Sequence, residues 1–203
     1  MIRLEKVFSW YNCISYDEGH VINEYIMTLS MHEGVIDPDQ QNTAYNRMKW
    51  WITNVLTNSI VLNESDPLLD TYRATRQRVL AVPSDPVDHL MTMLLYLKLN
   101  AIMQDRLIID EIKLSSEQGD HMSYLHSSHI DQVLFDTQGW WTDSEPTWEN
   151  ITPTNDAVVT LPNKIKWRDL DLAWEDDPVE SSVVYVDFGK NAIPNVSFTW
   201  REQ

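Results

Sequence analysis

The sequence is poor in cysteine and glycine, and each shortage excludes a class of protein. Cys13 is the single cysteine in 203 residues, so an intramolecular disulfide and a cysteine-only metal site are both excluded. This composition is typical of a reducing compartment, and we expect the protein in the cytoplasm. The five glycines are widely scattered, so neither a dinucleotide-binding loop nor a Walker phosphate loop is present.

Long apolar runs are also missing. The longest, from Leu90 to Met103, contains Lys98 and Asn100 and is shorter than the roughly 20 residues that a membrane-spanning helix needs. Charged residues follow Met1 closely, so we expect no signal peptide. The run therefore predicts a buried helix, and we expect no membrane association.

Basic residues are few, and the resulting negative charge is uneven. The formal net charge is −16: residues 1–100 contain 12 acidic and 8 basic residues (−4), and residues 101–203 contain 19 and 7 (−12). Such a surface repels nucleic acid and anionic lipid and attracts basic proteins. The alternative is that the surplus of carboxylates only keeps the protein soluble.

Three Asp-Pro pairs mark the starts of helices, because Asp caps a free backbone N–H and Pro suits the first helical position. They are Asp37-Pro38, Asp66-Pro67 and Asp85-Pro86. After the first pair, apolar residues recur at helical spacing while Arg47, Lys49 and Asn54 occupy other faces. The segment after Pro86 is apolar nearly all round, which predicts the central helix.

Strand patterns occur between and around these helices. Alternating apolar residues predict a hairpin from Lys6–Tyr16 and Val21–Met31, and further strands at Ser59–Asn63 and Arg106–Leu114. The order lacks a strict strand-helix-strand rhythm. It therefore predicts an α+β fold in which a mixed or antiparallel sheet carries about three helices on one side.

The composition changes near Trp140. Five of the nine prolines fall between Pro146 and Pro194, and short runs such as Leu170–Trp174 have strand character. We expect residues 1–139 to form the α+β core and residues 140–203 an acidic, Trp-rich β extension, either separate or part of the same domain.

A histidine-rich segment follows Gly119 and suits a transition metal in residue type. Imidazole and carboxylate groups ligate such ions, and His126 and His129 share a helical face, but the spacing matches no established zinc motif. The competing interpretation is a polar loop whose histidines bond to water and backbone. The candidate ligands are His121, His126, His129, Asp120 and Asp131.

Tryptophans alternate with carboxylates in the second half of the chain. Exposed indoles beside carboxylates would anchor a basic partner through cation-π and ionic contacts. The competing interpretation is that most of these rings fill the core. The candidate partner-binding residues are Trp140, Trp141, Trp148, Trp167, Trp174, Asp169, Asp171, Asp176 and Asp177.

Two stretches resemble proteins of tailed bacteriophages that have no assigned activity. The first runs from Gln41-Asn42-Thr43-Ala44 through Trp50-Trp51 to Asn58-Ser59-Ile60. The second runs from Ser115-Ser116 through Gly119-Asp120 and Tyr124-Leu125-His126 to Gly139-Trp140-Trp141. Together they cover less than a third of the chain. The resemblance implies a viral origin and carries no catalytic residue with it.

These observations favour a non-enzymatic binding factor that needs no cofactor. Its partner would be a basic surface of a host or viral protein, which a phage factor would inhibit or redirect in the host cytoplasm. No nucleophile elbow occurs in the sequence, and Cys13 falls in a strand pattern. The alternatives are a hydrolase that uses one divalent transition metal at the histidine cluster, and a virion or assembly component.

Overall fold

The computed structural model describes residues 3–16, 19–74, 77–127, 139–146 and 165–175. These residues form a six-stranded mixed sheet and three α-helices, so the expected α+β fold is confirmed.

A long antiparallel hairpin forms the middle of the sheet. Strand β1 (Arg3–Tyr16) pairs with β2 (Gly19–Glu33) along its whole length, from Arg3 opposite His32 to Tyr16 opposite Gly19. Strand β5 (Leu107–Ser116) pairs antiparallel with β2, and β6 (Ser123–Ser127) pairs antiparallel with β5. The hairpin predicted from the alternating pattern is confirmed.

Two short parallel strands extend the sheet on the other side of β1. Strand β3 (Ile60–Asn63) runs parallel to β1, and β4 (Val79–Val82) runs parallel to β3. The strand order is β4-β3-β1-β2-β5-β6. The expectation was a mixed or an antiparallel sheet, and the parallel pairing of β3 and β4 makes the sheet mixed.

Helix α1 (Pro38–Trp51) begins as predicted, and its last turn continues as a π-helical segment over Ile52–Leu56. The Asp37 carboxylate caps it by accepting a bond from the backbone N–H of Asp39 at 3.0 Å. Helix α2 (Leu69–Ala74) is short. Helix α3 (Asp88–Met103) has Val87 as its N-cap, so it starts later than the Asp85-Pro86 pair indicated.

Helices α1 and α3 cover one side of the sheet and enclose the main core. The inward side chains of β2 alternate with outward ones, as in a strand buried on one face. Helix α2 packs on the opposite side, over β3 and β4, where Leu62, Leu69 and Val79 form a small separate cluster. The expectation that all the helices lie on one side of the sheet is therefore wrong. Fully buried members of the main core include Tyr25, Met27, Leu29, Trp51, Met91, Leu94 and Leu99.

The described parts of residues 140–203 share this main core. Trp140, Trp141, Trp167 and Trp174 all belong to it. A 3₁₀ turn occupies Trp167–Leu170, so the strand expected over Leu170–Trp174 is wrong. The Asp169 carboxylate accepts a bond from the Lys166 backbone N–H at 2.9 Å, which stabilises the turn. A strand was also expected over Lys164–Trp167, and its described residues, 165–167, form no strand. The remaining strands predicted in this extension lie outside the described residues.

In the described part of the chain, no helix combines the length and apolar character required to cross a bilayer.

Candidate functional site: an open sheet face

A buried lysine attaches the first C-terminal stretch to the helical layer. Lys98 lies in α3 with no exposed surface, and its Nζ donates to the backbone carbonyls of Asp143 at 2.6 Å and Glu145 at 2.9 Å. The ammonium also lies 5.7 Å from the centre of the Trp51 ring. Burial lowers the pKa of Lys98 to about 8. Lys98 is therefore a structural cation, and it fixes residues 139–146 against the helix.

A buried arginine holds the second stretch in the same way. Arg47 in α1 is 1% exposed, and its Nε donates to the Leu172 carbonyl at 2.6 Å. Its guanidinium stacks on Trp174 at 3.6 Å from the ring centre and lies 5.2 Å from that of Trp167. The expectation that Arg47 occupies a polar face of α1 is wrong, because aromatic side chains from far along the chain cover it.

The tryptophans proposed as partner anchors lie in the core. Trp140, Trp141, Trp167 and Trp174 are 9%, 4%, 2% and 4% exposed. The indole N–H groups of Trp140 and Trp167 donate to backbone carbonyls, and that of Trp174 donates to the side chain of Gln104. This burial corrects the expectation that these four rings form an exposed surface, and the core interpretation holds for them.

The carboxylates proposed for the same surface have different positions. Asp169 and Asp171 are exposed at the 3₁₀ turn. Trp148, Asp176 and Asp177 lie outside the described residues. Among the described members of the predicted partner surface, the exposed ones are therefore acidic and not aromatic.

The described members of the histidine cluster do not converge. Asp120 and His121 are exposed on the turn between β5 and β6. His126 is 6% exposed in β6 and meets the Tyr96 ring edge-on at 4.7 Å between centroids, and burial lowers its pKa. His129 and Asp131 lie outside the described residues. Within the described ranges, no three His, Cys, Asp or Glu side chains are grouped as metal ligands.

The side of β1, β2, β5 and β6 that faces away from α1 and α3 is here called the open face. Residues paired across neighbouring strands project to the same side of a sheet. One cross-strand row on the open face runs from Val7 through Thr28 and Lys113 to Leu125. The next row contains Ile26, between Ser9 and Ser115.

Large apolar side chains are exposed on the open face. Ile22 is 71% exposed, Val7 56%, Leu125 53%, Tyr11 50% and Ile26 41%. An antiparallel sheet with one solvated face usually presents polar residues on it. The apolar side chains occur on three of the four strands, so they are not a single isolated exception.

Charged residues surround these apolar side chains. Glu5, Glu24, Glu111 and Glu117 lie on or beside the open face, with Lys113 and Arg3 as the basic residues. Glu24 raises the pKa of the Tyr11 hydroxyl through a hydrogen bond and its charge, with a smaller effect from Glu117. His32 Nδ1 and the Asp110 carboxylate meet at 2.9 Å near the far end of β2. Apolar and polar groups are therefore interspersed on the open face. Val7, Tyr11, Ile22 and Ile26 are diagonal neighbours on β1 and β2, and Glu24 lies opposite Tyr11. Thr28 and Lys113 separate Val7 from Leu125.

The apolar residues of the open face could have been recognised from the sequence. Val7 and Tyr11 in β1, and Ile22 and Ile26 in β2, are apolar at positions that alternate with the inward ones. A strand with apolar residues at both parities is covered on both faces or exposes an apolar surface.

No protein-family model matches the chain, and a search of curated proteins found no significant relative.

Proposed function

We propose that the protein is a non-enzymatic binding factor that contacts a basic partner protein through the open face. The observation that carries this proposal is the exposure of Val7, Tyr11, Ile22, Ile26 and Leu125 on one side of the sheet. Four of these side chains, those of Val7, Tyr11, Ile22 and Ile26, are diagonal neighbours on β1 and β2. Neighbouring exposed apolar side chains among polar groups are typical of protein interaction sites. The open face therefore replaces the buried tryptophans as the proposed partner-binding surface.

Charge defines the kind of partner. Carboxylates outnumber basic groups around the open face, and the whole chain carries −16. A partner surface that combines apolar side chains with Lys or Arg complements both features and is attracted at long range. A second copy of the chain brings the same negative charge, so self-association through this face is disfavoured at low salt. We therefore commit to a basic partner.

The resemblance to tailed-bacteriophage proteins extends the proposal. On that basis the partner is a host protein in the host cytoplasm, and binding inhibits or redirects it.

A matched pair of variants tests the proposal. Ile22→Thr combined with Ile26→Thr removes apolar surface from the open face but keeps β-branched residues, which strands tolerate well. Ile36→Thr makes the same chemical change at a residue that is 96% exposed in the loop after β2. Each tagged protein is used to capture partners at low and high salt, and captured proteins are quantified against wild type.

We expect a stoichiometric basic partner that the wild type and Ile36→Thr retain at low salt. We expect the double variant to lose it and high salt to weaken it. Failure to capture any stoichiometric partner at low salt would contradict the proposal. Equal capture by the double variant would show that the open face is not the contact surface.

A further inference from the structure

A cavity of about 260 Å³ lies beside the start of α3, between the tip of the β1–β2 hairpin and the turn after β5. Its apolar walls are Ile14, Val21, Pro86, Val87 and Tyr124. The polar side chains of Asp88 and Asn23 also line it. The volume is slightly below the range of about 300–1,000 Å³ typical of small-molecule sites, so it suits a compact ligand.

Asp88 is a buried carboxylate whose charge is poorly compensated. It is 9% exposed, and both of its oxygens accept from the Ser116 hydroxyl, at 2.9 and 2.8 Å. Among the described residues no lysine or arginine forms an ion pair with it. Burial raises the pKa of Asp88, and Ser116 and His89 offset part of that rise. A carboxylate taken out of water is costly unless a donor or a cation compensates it.

Asn23 contributes a hydrogen-bond donor that has no acceptor. Its side chain has no exposed surface, and its Oδ1 accepts from the Gln118 backbone N–H at 2.9 Å, which identifies Nδ2 as the donor. Nδ2 has no hydrogen-bond partner in the described structure. The Tyr25 hydroxyl lies close to Asn23, and its interaction with that amide offsets part of the rise that burial causes in the pKa of Tyr25. Neither group has a partner in hydrogen-bond geometry. An unsatisfied buried donor of this kind is costly.

We propose that the cavity binds a primary ammonium group with a carbonyl oxygen next to it, as in an amino-acid amide or at the N-terminus of a peptide. The ammonium donates to Asp88, and the carbonyl accepts from Asn23 Nδ2. The apolar walls accommodate an aliphatic side chain of the ligand. The two polar groups are thus compensated by one small ligand, and the negative charge of the protein attracts it.

This site is separate from the open face. Ile14, Val21 and Asn23 project to the side of the sheet that carries α1 and α3, whereas the open face is on the other side. Ligand binding in the cavity and partner binding at the open face can therefore succeed or fail independently.

The test is an NMR titration of the full chain with L-leucinamide, in which backbone amide chemical shifts are monitored. We expect saturable shifts centred on Val21, Asp88 and Gln118. N-acetyl-L-leucinamide lacks the ammonium, and we expect its affinity to be lower by about tenfold or more. A short peptide with N-terminal leucine distinguishes the two ligand classes, which are free amino-acid amides and the N-termini of peptide chains. Tighter binding of the peptide assigns the site to chain N-termini, and equal binding assigns it to free amino-acid amides.

Two cavity variants and one control variant connect the shifts to the cavity. Asp88→Asn keeps the side-chain shape and removes the charge, and we expect it to raise the dissociation constant about tenfold or more. Asp85→Asn makes the same change at an exposed position just before α3, and we expect no effect. Val21→Phe fills the cavity from a strand position that tolerates aromatic residues, and we expect it to abolish binding even if Asp88→Asn does not fold.

Three results would overturn the proposal. They are a lack of saturable shifts with wild-type protein, equal affinity for the acetylated probe, and unchanged affinity in a folded Asp88→Asn or Val21→Phe protein.

Discussion

The guanidinium carbon of Arg47 lies 3.6 Å from the centre of the Trp174 indole ring, although the two residues are far apart in the sequence. The contact is buried, and the Arg47 Nε also donates to the Leu172 carbonyl beside it. A charged side chain of α1 thus forms part of the core that the C-terminal stretch completes.

Arg47→Met is expected to lower the free energy of unfolding by about 2–4 kcal/mol, because it removes a charge-assisted hydrogen bond and cation-π contacts from a buried site. Urea denaturation followed by tryptophan fluorescence measures the change. Lys49→Met on the exposed side of the same helix is the control, and we expect a change within about 0.5 kcal/mol. Equal stabilities of the two variants would contradict a structural role for Arg47.

Lys98 is expected to make the protein more stable as the pH rises from 8 to 10. Its folded-state pKa is about 8, below the ordinary value of 10.5, so the unfolded chain binds more protons in this interval. The free energy of unfolding therefore rises with pH, by about 2 kcal/mol over the interval. Urea denaturation at several pH values measures the slope.

Lys98→Met provides the control for that slope. Other groups act in the opposite direction, since burial raises the pKa of Tyr25 and of Cys13. The variant retains both, so the difference between wild type and variant isolates Lys98. Parallel pH profiles for the two proteins would show that the ammonium is not buried as described.

Asp88→Asn is expected to raise the free energy of unfolding at pH 7. The pKa of Asp88 is raised in the folded state, so folding favours the protonated carboxyl group. The stability that this protonation contributes is present at low pH and is lost as the pH rises through the folded-state pKa. An amide avoids the cost of the buried charge and can still bond to Ser116. The gain should shrink as the pH falls and Asp88 becomes protonated in both states. A strong destabilisation at pH 7 would contradict this prediction.

Gly34→Ala is expected to destabilise the fold by about 1–3 kcal/mol through overpacking. A Cβ at Gly34 would lie 1.8 Å from the backbone oxygen of Asp105, which cannot move independently of the turn before β5. Gly19→Ala is the matched control, because a Cβ at Gly19 meets no atom within 4 Å. Thermal denaturation of the two variants compares them, and similar midpoints would mean that Gly34 is less confined than the structure indicates.

Much of the fold could be predicted from local patterns. The β1–β2 hairpin alternates clearly, and Asp37 supplies a helix cap within a few residues of its partner. Strand β4 is not predicted by the sequence, because Val79–Val82 is only four residues long and shows no clear alternation. Strand β6 was missed because its histidine suggested a loop, although Tyr124 and His126 alternate with Ser123, Leu125 and Ser127.

The candidate sites were harder to predict because they depend on contacts between distant segments. Arg47 has the composition of a surface residue, and only the stacking of Trp167 and Trp174 shows that it is buried. Asp88 and Asn23 belong to different elements, and the fold alone brings them to one cavity. Which side of a strand remains uncovered likewise depends on where α1 and α3 pack.

The most direct test of the open face as a partner surface is site-specific photo-crosslinking from Ile26, with Ile36 as the off-face position. The proposal predicts that a probe at Ile26 crosslinks one basic partner at low salt and that a probe at Ile36 does not. Crosslinking of the same partner with equal yield from both positions, or from Ile36 alone, would contradict it.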